Sequence, residues 1–423
     1  MTTVLAGSQS AAASAATGPR HRLPRAAAFW TVTGTTTTLL AASSAPSPLY
    51  PVYQAEFGFS ALTLTAIFAV YVLALLVSLL TVGRLSDFLG RRPVLATALL
   101  VEAGAMAVFL DANSVTTLYG ARIVQGLATG AAIGVVGAYL LDLQPPNGSQ
   151  LGSLMNGVAA TGGLGVGAML SGLLIQYGPH PTRLVFGIFT AAFIVLALVT
   201  ALLPETVERT PGAGMALRPQ ILVPTPARRA FLRAVPTMAS TWMLGGLLLS
   251  VGGSLLAAVF GQHNHAVVGL IIGGFAGSSA IGSILLRDRS PETMGRQGTA
   301  LLFLGTVLLV VAVASSSLTA FVLGAVIAGF GFGPAYLGAF RTVSQLAAPH
   351  ERAALISAIY IVSYLAFSIP AVIAGVVITH EGLRGTSLVY GVVVAAVAAT
   401  TLLYETRAMR AHRRAAATPA GSA

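Results

Sequence analysis

The sequence predicts an all-α integral membrane protein with twelve transmembrane helices arranged as two pseudo-symmetric bundles of six. Three observations carry this prediction: the hydrophobic composition, the recurrence of apolar segments of membrane-spanning length, and the distribution of the arginines. Of the 423 residues, 55% are hydrophobic and 8% are charged, which is too little charge to cover the surface of a soluble protein of this length. We therefore expect the lipid bilayer to surround most of the chain.

Apolar segments long enough to cross about 30 Å of hydrocarbon recur along the chain. The predicted spans are 27–45, 61–82, 93–111, 115–141, 152–177, 184–203, 234–260, 266–286, 298–314, 318–340, 353–378 and 386–404. The first span is followed by small residues that resemble a signal-peptide cleavage site, but the repeat described below requires it as a helix. We therefore expect it to be retained.

All 23 basic residues are arginines, and their positions predict the orientation of the spans. If the N-terminus is cytoplasmic, every arginine except Arg122, Arg183 and Arg384 lies in a cytoplasmic loop or tail. This is the positive-inside bias, so both termini are predicted to be cytoplasmic. The bias also explains the pI of about 10.7 without a nucleic-acid partner. The absence of cysteine excludes disulfides and thiolate chemistry.

A polar stretch rich in Pro, Gly and Arg divides the spans into two sets of six. The predicted organisation is a disordered cytoplasmic tail at 1–26, an N-terminal bundle at 27–203, a cytoplasmic linker at 204–233, a C-terminal bundle at 234–404 and a cytoplasmic tail at 405–423. Three glycines of the first bundle recur in the second at one common offset: Gly126, Gly130 and Gly172 match Gly329, Gly333 and Gly375. We interpret the bundles as parallel repeats about an axis along the membrane normal.

A charged loop at 83–93 separates the second and third spans and concentrates four charges in a weakly charged chain. Asp87 is the acid among three arginines of this loop, so it has more partners than it can bind at once. We interpret the loop as a conformational latch whose ion pairs exchange as helices move; an ordinary cytoplasmic turn is the alternative. The predicted latch comprises Gly83, Asp87, Gly90, Arg91, Arg92 and Asp142.

This loop and the fourth span resemble two signatures of the major facilitator superfamily. The loop sequence GRLSDFLGRR at 83–92 is similar to the family pattern G-x-L-x-D-R-x-G-R-R, with Phe88 where the family usually has a basic residue. The segment LYGARIVQG at 118–126 is similar to L-x-x-x-R-x-x-Q-G, which is typical of proton-coupled members. The resemblance covers almost the whole chain and implies two bundles that alternate access to a central cavity. It also implies that Asp87 engages the start of the eleventh helix, near 352–355.

A third family pattern, G-x-x-x-G-P-x-x-x-G of antiporter-type exporters, is matched incompletely in the fifth span. The segment GLGVGAMLSG at 163–172 keeps the glycines but has Ala168 in place of proline. We therefore expect close helix packing without the proline kink. The residues predicted to serve helix packing or gating are Gly126, Gly130, Gly163, Gly167, Gly172, Gly329, Gly333 and Pro334.

Charged residues inside the predicted spans are functional candidates because charge is costly in hydrocarbon. The antiparallel third and fourth spans would set Glu102 and Arg122 at similar depth, close enough to interact. The resemblance implies that Arg122, with Gln125 in the same motif, faces the central cavity and links the fourth helix to the first. Glu102 is the predicted proton carrier; the alternative is a structural carboxyl held by a neighbouring hydroxyl or carbonyl.

Substrate contacts are expected, from the resemblance, on helices 1, 4, 7 and 10 and on the helices beside them. The candidates are Thr35, Thr38, Tyr71, Asn156, Trp242, Tyr336, Tyr360 and Tyr364. For each aromatic residue, packing or a place at the membrane interface is the alternative. Together they describe an apolar cavity with hydroxyls and few charges, which favours a neutral or weakly charged, partly hydrophobic substrate.

These features predict a monomeric secondary active transporter of the cell (inner or plasma) membrane that exports a small hydrophobic compound against proton entry. An importer or facilitator on the same fold is the first alternative, and a non-transporting sensor or a membrane-embedded enzyme is the second. An enzyme is not expected, because the seven histidines lie in predicted loops or tails. No cofactor or metal is expected, and the proton is the predicted coupling ion.

Overall fold

The computed structural model describes residues 22–146, 151–348 and 351–417, and within these ranges the chain forms helices and loops without strands. Six long helices form the first half: α1 (Arg25–Ser44), α2 (Ala61–Val82), α3 (Arg91–Leu110), α4 (Val115–Leu143), α5 (Leu151–Tyr177) and α6 (Leu184–Thr200). The second half contains α7 (Thr225–Phe260), α8 (His265–Leu285), α9 (Pro291–Ser315), α10 (Leu318–Ser344) and the helix Arg352–Ala417. Gly382, with a φ of 74°, breaks this last helix into α11 (352–381) and α12 (383–417). The described chain thus has twelve helical spans, as predicted.

Nine helical segments of the described residues are long and apolar enough to cross a membrane, if the segment Arg352–Tyr404 is counted once. Dividing that segment at Gly382 adds a tenth, and the shorter apolar helix α6 is the eleventh. The twelfth is α1, which carries a run of threonines. Their hydroxyls donate to the carbonyl four residues earlier, which satisfies them within the helix.

Predicted and observed helix starts differ most at two of the arginine-rich loops. Helix α7 begins at Thr225, with Pro226 in its first turn, so the last part of the predicted linker 204–233 is helical. Helix α9 begins at Pro291, inside the predicted loop 287–297. Proline suits a first helical turn because the amide hydrogen that it lacks would have no partner there.

Further differences lie near the chain ends and after α1. A short helix at Tyr50–Phe57, preceded by the 3₁₀ turn Ser47–Leu49, fills the first interhelical connection. Helix α12 continues to Ala417, beyond the predicted end of the second bundle at 404. The predicted disordered tail at 1–26 falls, as far as residue 21, outside the described residues.

Glycines set the packing within each half in equivalent ways. A Cβ atom built at Gly126 of α4 would lie 2.4 Å from the Tyr71 carbonyl oxygen of α2. A Cβ built at Gly329 of α10 would lie 2.1 Å from the Phe275 carbonyl oxygen of α8. Any side chain at either position would force the helices apart. The α4–α2 and α10–α8 pairs therefore pack by the same device.

Helices α5 and α8 form one contact between the halves, and they diverge along their length. A Cβ at Gly172 would lie 2.5 Å from the His265 carbonyl oxygen, and a Cβ at Gly165 would lie 2.9 Å from the Gly273 carbonyl oxygen. At Gly162 the nearest atom is 3.8 Å away, and at Gly157 nothing lies within 4 Å. The two helices therefore meet closely at one end of the molecule and separate toward the other.

The end at which α5 and α8 separate carries the loop 83–92 and the linker, and we call it the arginine-rich end. There, an apolar cluster of Leu154, Met294 and Leu337 touches across the halves. At the opposite end the halves are also joined by a hydrogen bond of 2.8 Å from the Ser254 hydroxyl to the Gln54 side-chain oxygen. The cavity described next lies between these two ends.

Candidate functional site

A cavity of about 170 Å³ lies between the two halves. Six of the eight predicted substrate residues line it: Tyr71, Asn156, Trp242, Tyr336, Tyr360 and Tyr364. No charged residue is among the described side chains of its wall. The cavity is therefore apolar with hydroxyl and amide groups, and its chemistry resembles the composition of the predicted set.

Thr35 and Thr38 do not line the cavity, which corrects their assignment to it. Thr36 lines it instead, together with Leu40 and Ser43, which follow on the same face of α1 at helical spacing. Thr35 is buried and donates to the Thr31 carbonyl. A run of consecutive threonines has no polar periodicity, so the sequence could not tell which of them faces the cavity.

The second half supplies a dense group of aromatic rings to the cavity. We call this group the aromatic wall; it consists of Trp242, Phe332, Tyr336, Tyr360, Tyr364 and Phe367. The Trp242 ring centroid lies 5.1 to 5.7 Å from those of Phe332, Tyr336, Tyr364 and Phe367. These are favourable distances for edge-to-face and tilted aromatic pairs, so the rings support one another.

The first half supplies most of the polar groups of the cavity. We call them the polar wall; it consists of Thr36, Ser43, Ser44, Ser153, Asn156 and Thr161. The hydroxyls of Ser43 and Ser44 each donate to a backbone carbonyl, and the Tyr71 hydroxyl donates to Ser43 at 2.8 Å. Each half therefore contributes a chemically different side of one cavity.

Arg122 is buried in α4 and has partners for most of its donors. Its Nε and Nη2 atoms donate to the Tyr50 hydroxyl at 3.1 and 2.6 Å, and its Nη1 donates to the Ser43 carbonyl at 3.1 Å. The Tyr71 ring centroid lies 5.0 Å from the guanidinium carbon. The link between α4 and α1 thus runs to the Ser43 carbonyl near the end of α1, and Tyr50 provides a second anchor for Arg122.

Gln125 and Thr129 stand between Arg122 and the buried Glu102 carboxyl of α3. The Gln125 side-chain oxygen accepts from Arg122 at 2.7 Å, and the Thr129 hydroxyl lies 3.3 Å from both carboxyl oxygens of Glu102. Gln125 is also a neighbour of the Glu102 carboxyl. In the described residues no ion pair joins Glu102 to Arg122, and the Gln125 amide nitrogen donates to the Ala42 carbonyl of α1 at 3.1 Å. We call Glu102, Arg122, Gln125 and Thr129 the buried polar cluster.

The buried polar cluster lies behind the cavity wall, which corrects the expectation that Arg122 faces the cavity. Arg122 is 1% exposed, and neither it nor Glu102 nor Gln125 is among the lining residues. Tyr71 and Ser43 contact both sides: they line the cavity, and the Tyr71 ring and the Ser43 carbonyl contact Arg122. A guanidinium in hydrocarbon needs acceptors, and this position supplies them.

At the arginine-rich end, Arg91 joins the predicted latch residues. Its guanidinium contacts Asp87 of the loop, the Ser86 hydroxyl at 2.7 Å and the Asp142 carboxylate of α4 at 3.3 Å. Arg92, in contrast, donates to the Ala201 carbonyl at the end of α6. The structure thus brings Asp87, Arg91 and Asp142 together and leaves Arg92 beside them.

Asp87 is half-exposed and pairs with Arg91 in this conformation. No contact between Asp87 and α11 is present in the described part of the chain. Gly90 takes a φ of 96°, a left-handed region that favours glycine, and Gly83 packs 2.8 Å from the position of a Cβ built at Gly134. The glycines thus shape the loop as expected, while engagement of Asp87 with α11 stays a prediction for another conformation.

Glu205, in the linker, is a residue that sequence reasoning missed. Its carboxylate accepts hydrogen bonds from the backbone amides of Arg91 at 2.8 Å and Arg92 at 3.1 Å. These amides begin α3, so the carboxylate satisfies unpaired donors at the positive end of a helix. The signal was the acid that directly follows the end of the first bundle in Pro204-Glu205-Thr206.

Other missed residues carried weaker signals. Tyr50, the main partner of Arg122, lies in a segment predicted to be a loop, where a tyrosine suggests no particular contact. Thr129 follows Gln125 by one helical turn and could have been placed beside Glu102 by that spacing. Phe332 and Phe367 could not be separated from ordinary core residues by sequence.

The packing glycines lie where helices approach closely. A Cβ at Gly163 would lie 2.4 Å from the Thr37 carbonyl oxygen, and one at Gly333 would lie 2.4 Å from the Ser279 carbonyl oxygen. A Cβ at Gly167 would likewise overlap the Ala41 carbonyl group of α1. Pro334 lies inside α10, next to Gly333, and its role as a gating point stays a prediction.

Comparison with known proteins yields relatives that are transporters by name. The chain is 31% identical to dityrosine transporter 1 of Saccharomyces cerevisiae over 173 residues, which cover 40% of this chain. It is 32% identical to the class H tetracycline resistance protein of Pasteurella multocida over 118 residues, which cover 28% of this chain. The chain spans 29% of the length of each of these relatives, so the match concerns less than a third of either.

A solved structure matches over almost the full fold. The crystal structure of the human organic anion transporter MFSD10 (TETRAN) superposes with a TM-score of 0.67 at 18% identity, over 90% of this chain and 100% of that chain. At this identity the likeness concerns the fold alone. A family model described as Major Facilitator Superfamily matches residues 32–296, which is more than half of the sequence. The chain therefore belongs to the major facilitator superfamily, and the expected family is confirmed.

Proposed function

We propose that this chain is a secondary active transporter that exports a small, neutral or weakly charged hydrophobic compound in exchange for protons. One observation carries the proposal: an uncharged cavity lies between the halves, and the buried polar cluster lies directly behind its wall. Substrate and proton would thus have separate sites that share Tyr71 and Ser43. A movement of Tyr71 or Ser43 would therefore change both the substrate site and the proton site.

The relative position of the halves supports alternating access. Helices α5 and α8 meet closely at the end opposite the arginine-rich end and diverge toward it, where Leu154, Met294 and Leu337 keep an apolar contact between the halves. If the arginine-rich end is cytoplasmic, as the positive-inside bias predicts, this conformation is closed to the outside. Closure of the arginine-rich end would then bring α11 toward Asp87. The protein would act as a monomer in the cell membrane, with both termini cytoplasmic and without a bound cofactor.

Proton coupling would rest on Glu102. It is fully buried, and its described hydrogen-bond partner is the neutral Thr129 hydroxyl. Loss or gain of a proton by the Glu102 carboxyl would change the charge next to Gln125. This change would alter the hydrogen bond between Gln125 and Arg122. Since Arg122 also binds Tyr50 and the Ser43 carbonyl, the change would reach α1 and the cavity wall.

The names of two relatives refer to compounds that contain rings. One relative is named as a dityrosine transporter and another as a tetracycline resistance protein. Both of these small molecules combine rings with hydrogen-bonding groups. A cavity with an aromatic side and a polar side would suit compounds of that chemistry.

A facilitator or importer on the same fold is the second candidate. The observation that favours it is that no acidic residue lines the cavity among the described side chains. A proton carried on Glu102 must therefore act through Tyr71 and Ser43. A facilitator would need no such connection.

Flux in proteoliposomes distinguishes these candidates. We would reconstitute the purified protein, impose a proton gradient, and measure accumulation of neutral, anionic and cationic aromatic compounds. Proton-coupled export predicts accumulation in vesicles with an acidic interior, where protons leave as the compound enters, and a collapse of this accumulation on addition of a protonophore. Flux that follows the substrate gradient alone, unchanged by the protonophore, would refute coupling and support the facilitator.

A further inference from the structure

We propose that the cavity binds an uncharged planar aromatic compound that carries a hydrogen-bond acceptor, with its rings against the aromatic wall and the acceptor bound by the Tyr336 hydroxyl beside Trp242. This proposal rests on the proposed function and adds the class of substrate and its orientation. It follows from three observations: the division of the cavity into two chemically different walls, the absence of charge in it, and two buried donors without partners.

The aromatic wall belongs to one half of the molecule. Trp242 comes from α7, Phe332 and Tyr336 come from α10, and Tyr364 and Phe367 come from α11. An aromatic ring that enters such a group gains offset or edge contacts in addition to the burial of its area. An aliphatic compound of the same size would gain burial alone. The wall therefore discriminates in favour of rings.

Two donors inside the aromatic wall have no hydrogen-bond partner. Trp242 Nε1 and the Tyr336 hydroxyl are both buried, and neither makes a hydrogen bond of full geometry, although Trp242 and Ser363 lie near the Tyr336 hydroxyl. Their rings are neighbours, with centroids 5.4 Å apart. A buried donor without a partner is costly, and a bound acceptor would remove this cost for the donor that it reaches.

The cavity wall excludes a charged ligand and limits its size. None of the described lining side chains is charged, so a bound ion would lose its hydration without a counter-charge. The volume of about 170 Å³ is close to the ~150 Å³ of an engineered apolar cavity that binds benzene. One or two fused rings are therefore the expected size of the aromatic part.

The test measures binding, without transport, at Trp242. The chain has two tryptophans, and Trp30 is 58% exposed on α1, away from the cavity. The protein, produced with 5-fluorotryptophan and placed in nanodiscs, should give two ¹⁹F resonances, and Trp30→Phe identifies that of Trp242. Three probes of similar shape are titrated. Quinoline has a ring-nitrogen acceptor and is neutral at pH 7.5, naphthalene has no acceptor, and N-methylquinolinium is a cation.

We expect quinoline to shift the Trp242 resonance saturably and naphthalene to need about a tenfold higher concentration, the usual effect of one net hydrogen bond. N-methylquinolinium should leave Trp242 unmoved. Tyr336→Phe should weaken quinoline about tenfold and leave naphthalene unchanged. The matched control is Tyr53→Phe, because Tyr53 is also buried with an unpartnered hydroxyl but does not line the cavity; it should change neither titration.

Three outcomes would overturn the proposal: equal binding of quinoline and naphthalene, preferential binding of the cation, or no effect of Tyr336→Phe on quinoline. A shift of both tryptophan resonances without saturation would also overturn it, since it would show partition into lipid. The result is independent of proton coupling. Saturable quinoline binding without proton-dependent flux would refute the proposed export and support this binding site. Proton-coupled flux of an aliphatic or charged compound, with the Trp242 resonance unmoved, would support the proposed export and refute this binding site.

Discussion

The two halves of the molecule use one packing scaffold and place different chemistry on it. Gly126 packs α4 on α2, and Gly329, its equivalent in the second half, packs α10 on α8. Gly172 of α5 and its equivalent Gly375 of α11 both contact the other half. Small residues are fixed at these points because the backbones approach too closely for any side chain.

The same offset that aligns these glycines pairs the buried polar cluster with apolar residues. Glu102 corresponds to Gly305, Arg122 to Ala325, Gln125 to Ala328 and Thr129 to Phe332. A Cβ at Gly305 would lie 2.2 Å from the backbone nitrogen of Ala328, so these positions face each other across α9 and α10 as Glu102 and Gln125 do across α3 and α4.

This difference indicates a division of labour between repeats. Thr129 contacts the Glu102 carboxyl, whereas its equivalent Phe332 belongs to the aromatic wall. The first half thus holds the buried polar cluster and most of the polar cavity groups, and the second half holds most of the rings. A pair of repeats can diverge in this way because packing depends on the glycines, and the intervening positions are free to change.

The largest expected effect on transport comes from replacing Arg122 by the type of residue that the second half has at the equivalent position. Arg122→Ala introduces the residue found at the equivalent position 325 and removes the donors to Tyr50 and the Ser43 carbonyl. We expect gradient-driven flux in proteoliposomes to fall to background, because the link from the buried polar cluster to α1 is lost. Arg384→Ala is the control: Arg384 donates to the Ala314 carbonyl, far from this cluster, and its loss should leave flux unchanged. Full activity of Arg122→Ala in a folded protein would refute the assignment.

The next effect concerns Glu102, which has no counterpart in the second half. Glu102→Gln keeps the size of the side chain and a partner for Thr129 but cannot release a proton. We expect accumulation driven by a proton gradient to be lost while exchange of substrate across the membrane without a gradient persists. Asp111→Asn, at the exposed end of α3, is the matched control and should keep coupled flux. Coupled accumulation by Glu102→Gln would show that the proton is carried elsewhere.

A smaller effect is expected from the contact between α5 and α8. Gly172→Ala places a methyl group 2.5 Å from the His265 carbonyl oxygen and should shift the population away from the conformation that is closed at this end. Because the chain has no cysteine, spin labels on Tyr177→Cys and Glu381→Cys report the separation of the halves by electron paramagnetic resonance. Gly274→Ala, with nothing within 4 Å, should leave the distance distribution unchanged. Identical distributions in both variants would mean that this contact does not set the equilibrium.

Most of the fold could be predicted from the sequence, because the bilayer requires long apolar segments and a bias in the positions of the arginines. Both features are directly visible in the sequence. Helix starts were less accurate where a charged first turn continues a helix beyond the hydrocarbon. Arg228, Arg229 and Arg233 were therefore assigned to the linker, although α7 contains them. Length and hydropathy identify the part of a helix that is in lipid, and they do not identify its extension into water.

The site was predicted in composition more than in geometry. Tyr71, Asn156 and Trp242 line the cavity, and their contact with substrate stays a prediction. The position of Arg122 behind the wall could not be predicted, because it depends on Tyr50, which a non-local turn brings to α4. Residue type is a property of the sequence, whereas partners across helices depend on packing.

The smallest effect tests how the two halves begin an equivalent helix. The first amides of α3 are bound by Glu205 of the linker, whereas α9 has its own cap, with Ser290 accepting from the Thr293 amide at 3.3 Å. Glu205→Ala and Ser290→Ala should each cost about 1 kcal/mol of stability, the usual value of a helix cap. Both losses are measurable as lower thermal unfolding temperatures in detergent.

The two variants should differ in the linker. Thr210, next to Arg209, donates its amide hydrogen to the Phe88 carbonyl, so Glu205 and Thr210 hold the linker against the loop 83–92. Glu205→Ala should raise the rate of trypsin cleavage at the exposed Arg209 and Arg218 about fivefold, the factor that corresponds to about 1 kcal/mol of local opening. Ser290→Ala should leave cleavage unchanged, because its cap is local to α9. Equal cleavage in the two variants would show that Thr210, and not Glu205, holds the linker. The start of α3 would then be independent of the linker, as the start of α9 is.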